Sequence, residues 1–343
     1  MVRFFLYNDD VQVAQFTVHN SVITEFFPQK PELLPMQIRH ATADGFSAWL
    51  RERAVDLNSV QHRNLMHELY GSRDKTTLAL RTNMFSISDT FTCFEEGQFV
   101  PRDQICRPDD QNTVSDYILV SSDTSLRNLR VATPNASTDG SFTKTWRFEG
   151  GSWWLYKLQS SAATDAEVEI SRVLREAGWD AAEYDYVKGY KRRVKSRNFL
   201  NAKEFFEPYE SFRFYFTNPS DDDDVILQNI ASLGESFRTA WKRILLADAL
   251  FNNTDRHMRN FGVIRSSSTG EVLRLAPNYD NNQAYLANPG GVYSDRMLVL
   301  YMQQADSEDY QNLKTLYEVI RVRPFFEDAR EAGEKWLYPL GRH

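Results

Sequence analysis

Apolar and polar residues alternate through the first 20 positions, MVRFFLYNDDVQVAQFTVHN, and this period of two predicts a hairpin or two short strands. A spacing of three and four takes over in Ala43 to Leu57 and again in Val60 to Leu69, which predicts short helices and completes a small mixed unit. From Thr82 to Asp123 neither period holds, and no motif that carries chemistry stands out.

The pattern sharpens downstream. Ala132 to Lys144, ATPNASTDGSFTK, is a loop of small residues, followed by Trp146 to Phe148, the turn EGGS at Glu149 to Ser152, and a strand at Trp153 to Leu158. On that strand Trp153, Leu155 and Lys157 share one face, so a lysine points with apolar neighbours. Thr164 to Ala177 reads as a helix capped by Thr164, with Ile170, Val173, Leu174 and Ala177 as its apolar stripe and Gly178 ending it. Tyr184 to Val187 and Phe212 to Phe216 read as strands joined through a connection over Phe199 to Pro208. The aspartates at Asp221 to Asp224 suit the positive end of a long helix whose apolar positions include Ile230, Leu233, Phe237, Trp241, Ile244 and Leu245. Helices dominate from there on, giving an α+β plan with a strand-rich half followed by a helical half and no internal repeat.

Composition narrows the class. At 343 residues, with 42% hydrophobic, 13% aromatic and 25% charged residues, the chain can build two or three packed units. The two cysteines, Cys93 and Cys106, lack C-x-x-C spacing, so neither a zinc site nor a disulfide framework is expected and a reducing compartment fits. The first 20 residues lack the basic start and apolar stretch of an export signal, and no apolar run approaches the roughly 18 residues of a membrane span. A soluble, cytoplasmic protein is expected. A net charge of −7 argues against a broad nucleic-acid surface, and the basic cluster Lys188 to Arg197 reads first as a solvated loop or strand edge.

Chemistry concentrates in Leu250 to Asp280, LFNNTDRHMRNFGVIRSSSTGEVLRLAPNYD, where polar and ionisable residues crowd the end of an apolar helix. Phosphoryl transfer needs a carboxylate to take the proton of the attacking hydroxyl and oxygen ligands to hold Mg²⁺. Asp255 and Asn260 have the right types, and their separation of five equals that between base and metal-binding Asn in protein-kinase catalytic loops. A hairpin over Phe261 to Ile264 and Val272 to Leu275 would deliver Asp280 as a second metal carboxylate.

Asn253 to Asn260, followed by Leu275-Ala276-Pro277-Asn278-Tyr279-Asp280, resembles the signature of HipA-type kinases, N-x-D-x-H-x-x-N and then L-A-P-x-Y-D. The resemblance implies a bilobal, protein-kinase-like fold using ATP and Mg²⁺, with Asp255 as catalytic base and Asn260 and Asp280 as metal ligands. His257, counted with the catalytic residues, would order the loop, pack beneath it or transfer a proton directly, and Arg259 would neutralise phosphate charge or pair with a carboxylate. Lys157 and Glu167 stand where the family has a phosphate-contacting lysine and its orienting glutamate. A snorkelling lysine, and a capping box of Thr164 with Glu167, stay open as bland readings. Ser137, Asp139, Gly140 and Lys144 occupy the place of the phosphate-covering loop, although the single glycine departs from a G-x-G-x-x-G pattern. Thr138 and Ser141 join Ser137 as candidate autophosphorylation sites against the reading of an ordinary turn.

The similarity starts near Ala132, so residues 1–130 form an accessory unit, 131–216 a kinase-like N-lobe and 217–343 a helical C-lobe. A serine/threonine protein kinase follows, with a protein substrate and, by the family's habit, a toxin role restrained by an antitoxin-like partner. No direct nucleic-acid or membrane partner is expected. A kinase-fold regulatory module and a kinase for a small-molecule acceptor remain as alternatives.

Overall fold

The computed structural model describes residues 1–54, 64, 69–72, 74–106, 108–120, 143–287 and 292–338. Most of the helix expected over Val60 to Leu69 lies outside the described residues, as do Ser137, Thr138, Asp139, Gly140 and Ser141 of the expected phosphate loop. The chain divides into two compact units: Met1–Leu158 with Lys195–Thr217 and Val263–Leu273, and Gln159–Val194 with Asn218–Gly262 and Arg274–His343.

The first unit opens with the hairpin that the alternation predicts. Strands β1 (Val2–Asn8), β2 (Val11–His19), β3 (Val22–Pro28) and β4 (Phe91–Glu95) form one sheet in the order β3-β2-β1-β4. Asn20 and Ser21 take φ of 48° and 62°, and positive values at both central residues match the twist of a two-residue hairpin. Register places Phe4 against Phe16 and Leu6 against Ala14. Helix α1 (Ala43–Glu52), capped by Thr42 accepting from Gly45 N at 3.3 Å, closes the core. Its Phe46 ring stacks on Phe26 with centroids 4.1 Å apart.

Further along come α2 (Lys75–Arg81), α3 (Pro108–Val120), β5 (Thr143–Glu149) and β6 (Ser152–Leu158). The stretch Thr82 to Asp123, unreadable by period, thus supplies β4 and α3. Asn112 of α3 donates to Phe148 O at 3.1 Å and accepts from Phe148 N at 3.0 Å, completing hydrogen bonds of the β5 backbone. The β5–β6 hairpin turns at Gly150 and Gly151, whose φ of 56° and 78° favours glycine.

Two expectations for this unit fail. The connection over Phe199 to Pro208 contains β7 (Glu204–Pro208), which joins β8 (Gly262–Ser266) and β9 (Val272–Leu275) in the order β9-β8-β7. The strand expected at Phe212 to Phe216 is instead a helical turn, Tyr209–Phe212, running into a 3₁₀ turn, Arg213–Tyr215. Aromatics three and four residues apart meet there, Phe212 stacking on Tyr215 at 5.0 Å and meeting Phe216 edge-on at 5.5 Å. That spacing serves a helix rather than a strand.

Arg265 of β8 is fully buried and fastens distant segments of this unit. It pairs with Glu207 at 2.6 Å and donates to Leu34 O at 3.0 Å, Glu32 O at 2.9 Å and Gly270 O at 2.9 Å. Glu207 also accepts from Met36 N and Ser211 Oγ, both at 2.6 Å. Gly270 is required in this cradle: a Cβ there would lie 2.1 Å from Glu32 O, and its φ is +74°.

The second unit is helical, with short strands at Tyr184–Tyr186 and, across the boundary, Arg193–Arg197. Its helices are α4 (Ser161–Glu176), α5 (Asp223–Ser232), α6 (Glu235–Phe251), α7 (Arg296–Gln303), α8 (Ser307–Ile320) and α9 (Glu327–Leu337). Ile170 and Leu174 of α4, Leu250 of α6, Leu298 of α7, Leu316 of α8 and Ala329 of α9 share one buried cluster. Helix α4 is capped not by Thr164 but by Ser160, whose hydroxyl accepts from Ala163 N. Thr164 lies inside the helix, so the capping-box reading of Glu167 falls away. The single long helix expected after the aspartates is two, broken at Gly234 with φ of 135°, and Asp222 caps the first by accepting from Asp224 and Val225 N. Among the described residues no helix is long and apolar enough to cross a membrane.

Arg265→Met keeps bulk but leaves the Glu207 carboxylate buried and unpaired. It is expected to cost about 3–5 kcal/mol of stability, read as a lowered urea midpoint, and the added change Glu207→Leu to recover part of the loss. An unchanged midpoint in Arg265→Met would contradict the fastening role of this pair.

Candidate active site

The sequence-predicted centre lies in the second unit and is built from the end of α6, the loop after it and the segment reaching Asp280. The apolar helix α6 carries one carboxylate in its last turns, Asp248, with a side chain 4% exposed. Asn252 ends the helix in the left-handed region, φ 50°, and turns the chain into the loop. Asn253, buried, donates from Nδ2 to Asp248 Oδ1 at 2.9 Å and to Asn281 Oδ1 at 3.4 Å. The first asparagine of the motif therefore fixes where the loop leaves the helix.

The loop is held by its own backbone. His257 N donates to Asp255 O at 3.0 Å and Asn260 N to His257 O at 2.8 Å. Asn260 Nδ2 donates to Asp255 O at 3.0 Å, which leaves its Oδ1 as the atom that can serve a cation. His257 Nδ1 accepts from Arg259 N at 3.2 Å, so the imidazole orders the loop by a hydrogen bond. Asp255, His257 and Arg259 are exposed, whereas Asn260 is buried.

Ala276 N donates to Gly262 O at 2.9 Å after the β8–β9 hairpin, and Asn278 forms a parallel bridge with Ala181. Tyr279 OH donates to Arg259 O at 2.8 Å, which ties this segment to the loop. Asp280 takes φ of 62°, a left-handed conformation uncommon outside glycine, and its N–H donates to Tyr184 OH at 3.1 Å. The hairpin expectation holds, and the two halves of the motif meet.

The residue at the crossing is Arg256. Its guanidinium forks onto Asp248, Nε to Oδ2 and Nη2 to Oδ1, both at 2.8 Å. Nη1 donates to Asn260 O at 2.8 Å and Tyr279 O at 2.7 Å, and Nη2 to Asn281 Oδ1 at 3.2 Å. Burial alone would pull its pKa down, but the Asp248 carboxylate outweighs this and the net shift is upward. Arg256 sat in the motif without an assigned role, and Asp248 and Asn281 were missed. A carboxylate inside the apolar run LLADALF was the available signal for Asp248.

The upstream candidates sit as follows. In the first unit Lys157 of β6 is buried and lies directly across the ladder from Lys144 of β5. In the second unit Glu167 of α4 is buried and accepts from Gln159 Nε2 at 2.8 Å, a partner the sequence reading did not name. Among the described residues no three His, Cys, Asp or Glu side chains cluster as a metal cage. One carboxylate with one amide oxygen suits Mg²⁺, which is commonly held by a few protein oxygens together with phosphates and water.

No family model matches the chain, and no curated protein matches it in sequence. Among solved structures it is similar to HipA of Shewanella oneidensis MR-1, from a toxin–antitoxin system and in complex with HipB and operator DNA. The TM-score is 0.61 at 12% identity, over 97% of both chains. The chain has the HipA fold. A Helicobacter pylori proinflammatory kinase, CtkA, aligns over 56% of this chain and 89% of its own at 14% identity, with a TM-score of 0.42.

Asp248→Ala is expected to lower stability by about 3–5 kcal/mol, because it strands the Arg256 charge in the interior. Asn253→Ala, which removes one neutral donor, is expected to cost about 1–3 kcal/mol. Chemical denaturation of the two variants checks the order, and equal losses would contradict the central place given to the ion pair.

Proposed function

We propose that the chain is an ATP- and Mg²⁺-dependent phosphotransferase, acting as a serine/threonine protein kinase of HipA type. The observation that carries this reading is the meeting of the Asn253–Asn260 loop with the Tyr279–Asp280 segment on a HipA fold. In this reading the Asp255 carboxylate, exposed at the loop, orients an acceptor hydroxyl and takes its proton; the hydroxyl oxygen bonds to the γ-phosphorus as the bond from that phosphorus to the β–γ bridging oxygen breaks and ADP leaves. Asn260 Oδ1 and the Asp280 carboxylate would hold the metal, whose charge would offset that of the phosphates. His257 keeps the loop in shape, and Arg259 adds a cation beside it. Lys157 and Glu167 are proposed as the phosphate-contacting cation and its orienting carboxylate on motif order alone, with Lys144 and the Ser137–Gly140 segment serving the phosphates. The HipA structure holds a HipB partner, and a protein partner of antitoxin kind, with a toxin role, belongs to the same proposal.

The test is transfer of labelled γ-phosphate from Mg-ATP to the chain itself or to proteins of a bacterial lysate. Asp255→Ala is expected to lose roughly 10²–10⁴-fold in transfer while still binding nucleotide, as loss of a general base does. Asp280→Ala is expected to lose both transfer and magnesium-dependent binding. Transfer by Asp255→Ala at the wild-type rate would remove the assigned base, and binding without transfer by the wild type would favour a regulatory module.

A further inference from the structure

We propose that Arg256 is a positioning residue that sets the separation of the two metal ligands, Asn260 and Asp280; this rests on the phosphotransferase reading. All five guanidinium N–H groups are used, and two of them reach main-chain carbonyls. One carbonyl belongs to Asn260 itself and the other to Tyr279, the residue before Asp280. Both are held by the same nitrogen, Nη1, at 2.8 and 2.7 Å, so the two backbones are fixed relative to one atom. That atom is in turn fixed by the two-pronged grip of Asp248, carried by a buried helix.

The chemistry requires such a gauge. Magnesium demands near-ideal octahedral geometry at about 2.0–2.1 Å and tolerates misplaced ligands poorly. Asn260 and Asp280 reach the site from separate segments. Asp280 also sits at a left-handed φ, so its direction depends on how Tyr279 is held. A planar fork delivers several bonds in one plane at set distances, whereas an ammonium is a point donor on a flexible stem. Lysine at 256 would keep the charge opposite Asp248 but would lose the simultaneous hold on both carbonyls.

The experiment titrates Mg²⁺ against the thermal midpoint of the full chain in the presence of a non-hydrolysable ATP analogue, alongside the magnesium dependence of phosphate transfer. Arg256→Lys is expected to raise the Mg²⁺ concentration for half-maximal stabilisation roughly 10–100-fold, the usual cost of removing a residue that orients metal ligands. Transfer at saturating Mg²⁺ should recover to within a few-fold of wild type. The double variant Asp248→Asn/Arg256→Gln removes the buried charge from both sides and carries the same test if the lysine variant does not fold. A folded variant with wild-type magnesium dependence overturns the proposal. Failure of both variants to fold also overturns it, since Arg256 would then be a requirement of the fold and not of metal spacing. A wild-type chain whose midpoint ignores Mg²⁺ and the analogue contradicts the phosphotransferase reading itself, which is a separate outcome.

Discussion

A guanidinium removed from water must have its charge balanced and its five N–H groups accepted, and in the second unit Arg256 obtains this from Asp248, Asn260, Tyr279 and Asn281. The requirement runs in both directions. Asp248 is tolerated in an apolar helix only because the fork neutralises it, and the loop carbonyls face inward only because a cation receives them. The end of α6, the 253–260 loop that follows it directly and the 278–281 segment further along the chain thereby become one object. Asp255, His257, Arg259, Asn260 and Asp280 all lie on the loop and the segment that meet at that crossing.

The first unit solves a similar problem with Arg265 and Glu207. There too an arginine takes a carboxylate and then gathers carbonyls, those of Glu32 and Leu34, from more than 200 residues away. A buried pair of this kind adds little net stability compared with a well-packed apolar core, but it is severe about which segments meet. In each unit the arginine specifies an arrangement, while Phe46 and its aromatic neighbours, or the α4, α6 and α8 stripes, supply the apolar burial.

Much of this was legible in the sequence where period or chemistry is strong. The opening alternation gave the hairpin, and the apolar stripe of α4 gave the helix, since burying one face leaves a period behind. The catalytic-loop motif stood out because polar residues on an apolar background need a reason. Legibility failed where two local codes coincide. Ser160 and Thr164 both offer a hydroxyl ahead of the same stripe, and FRFYF suits a helical turn as well as a strand. Strand β7 was hidden because one of its two inward positions is Glu207, buried through a partner 58 residues on. Arg256 was hidden for the same reason: its acceptors include Tyr279 and Asn281, and only the fold brings them to it. Lys157 and Glu167 were named from motif order, and their joint role stays a proposal.

The central claim is that this fold binds nucleotide through a magnesium-dependent centre at Asn260 and Asp280. Calorimetric titration of the full chain with an ATP analogue, with Mg²⁺ and then with excess chelator, tests it most directly. The account expects one saturable site per chain with Mg²⁺ and a loss of most of the affinity under chelation; absence of binding with Mg²⁺ present would contradict it.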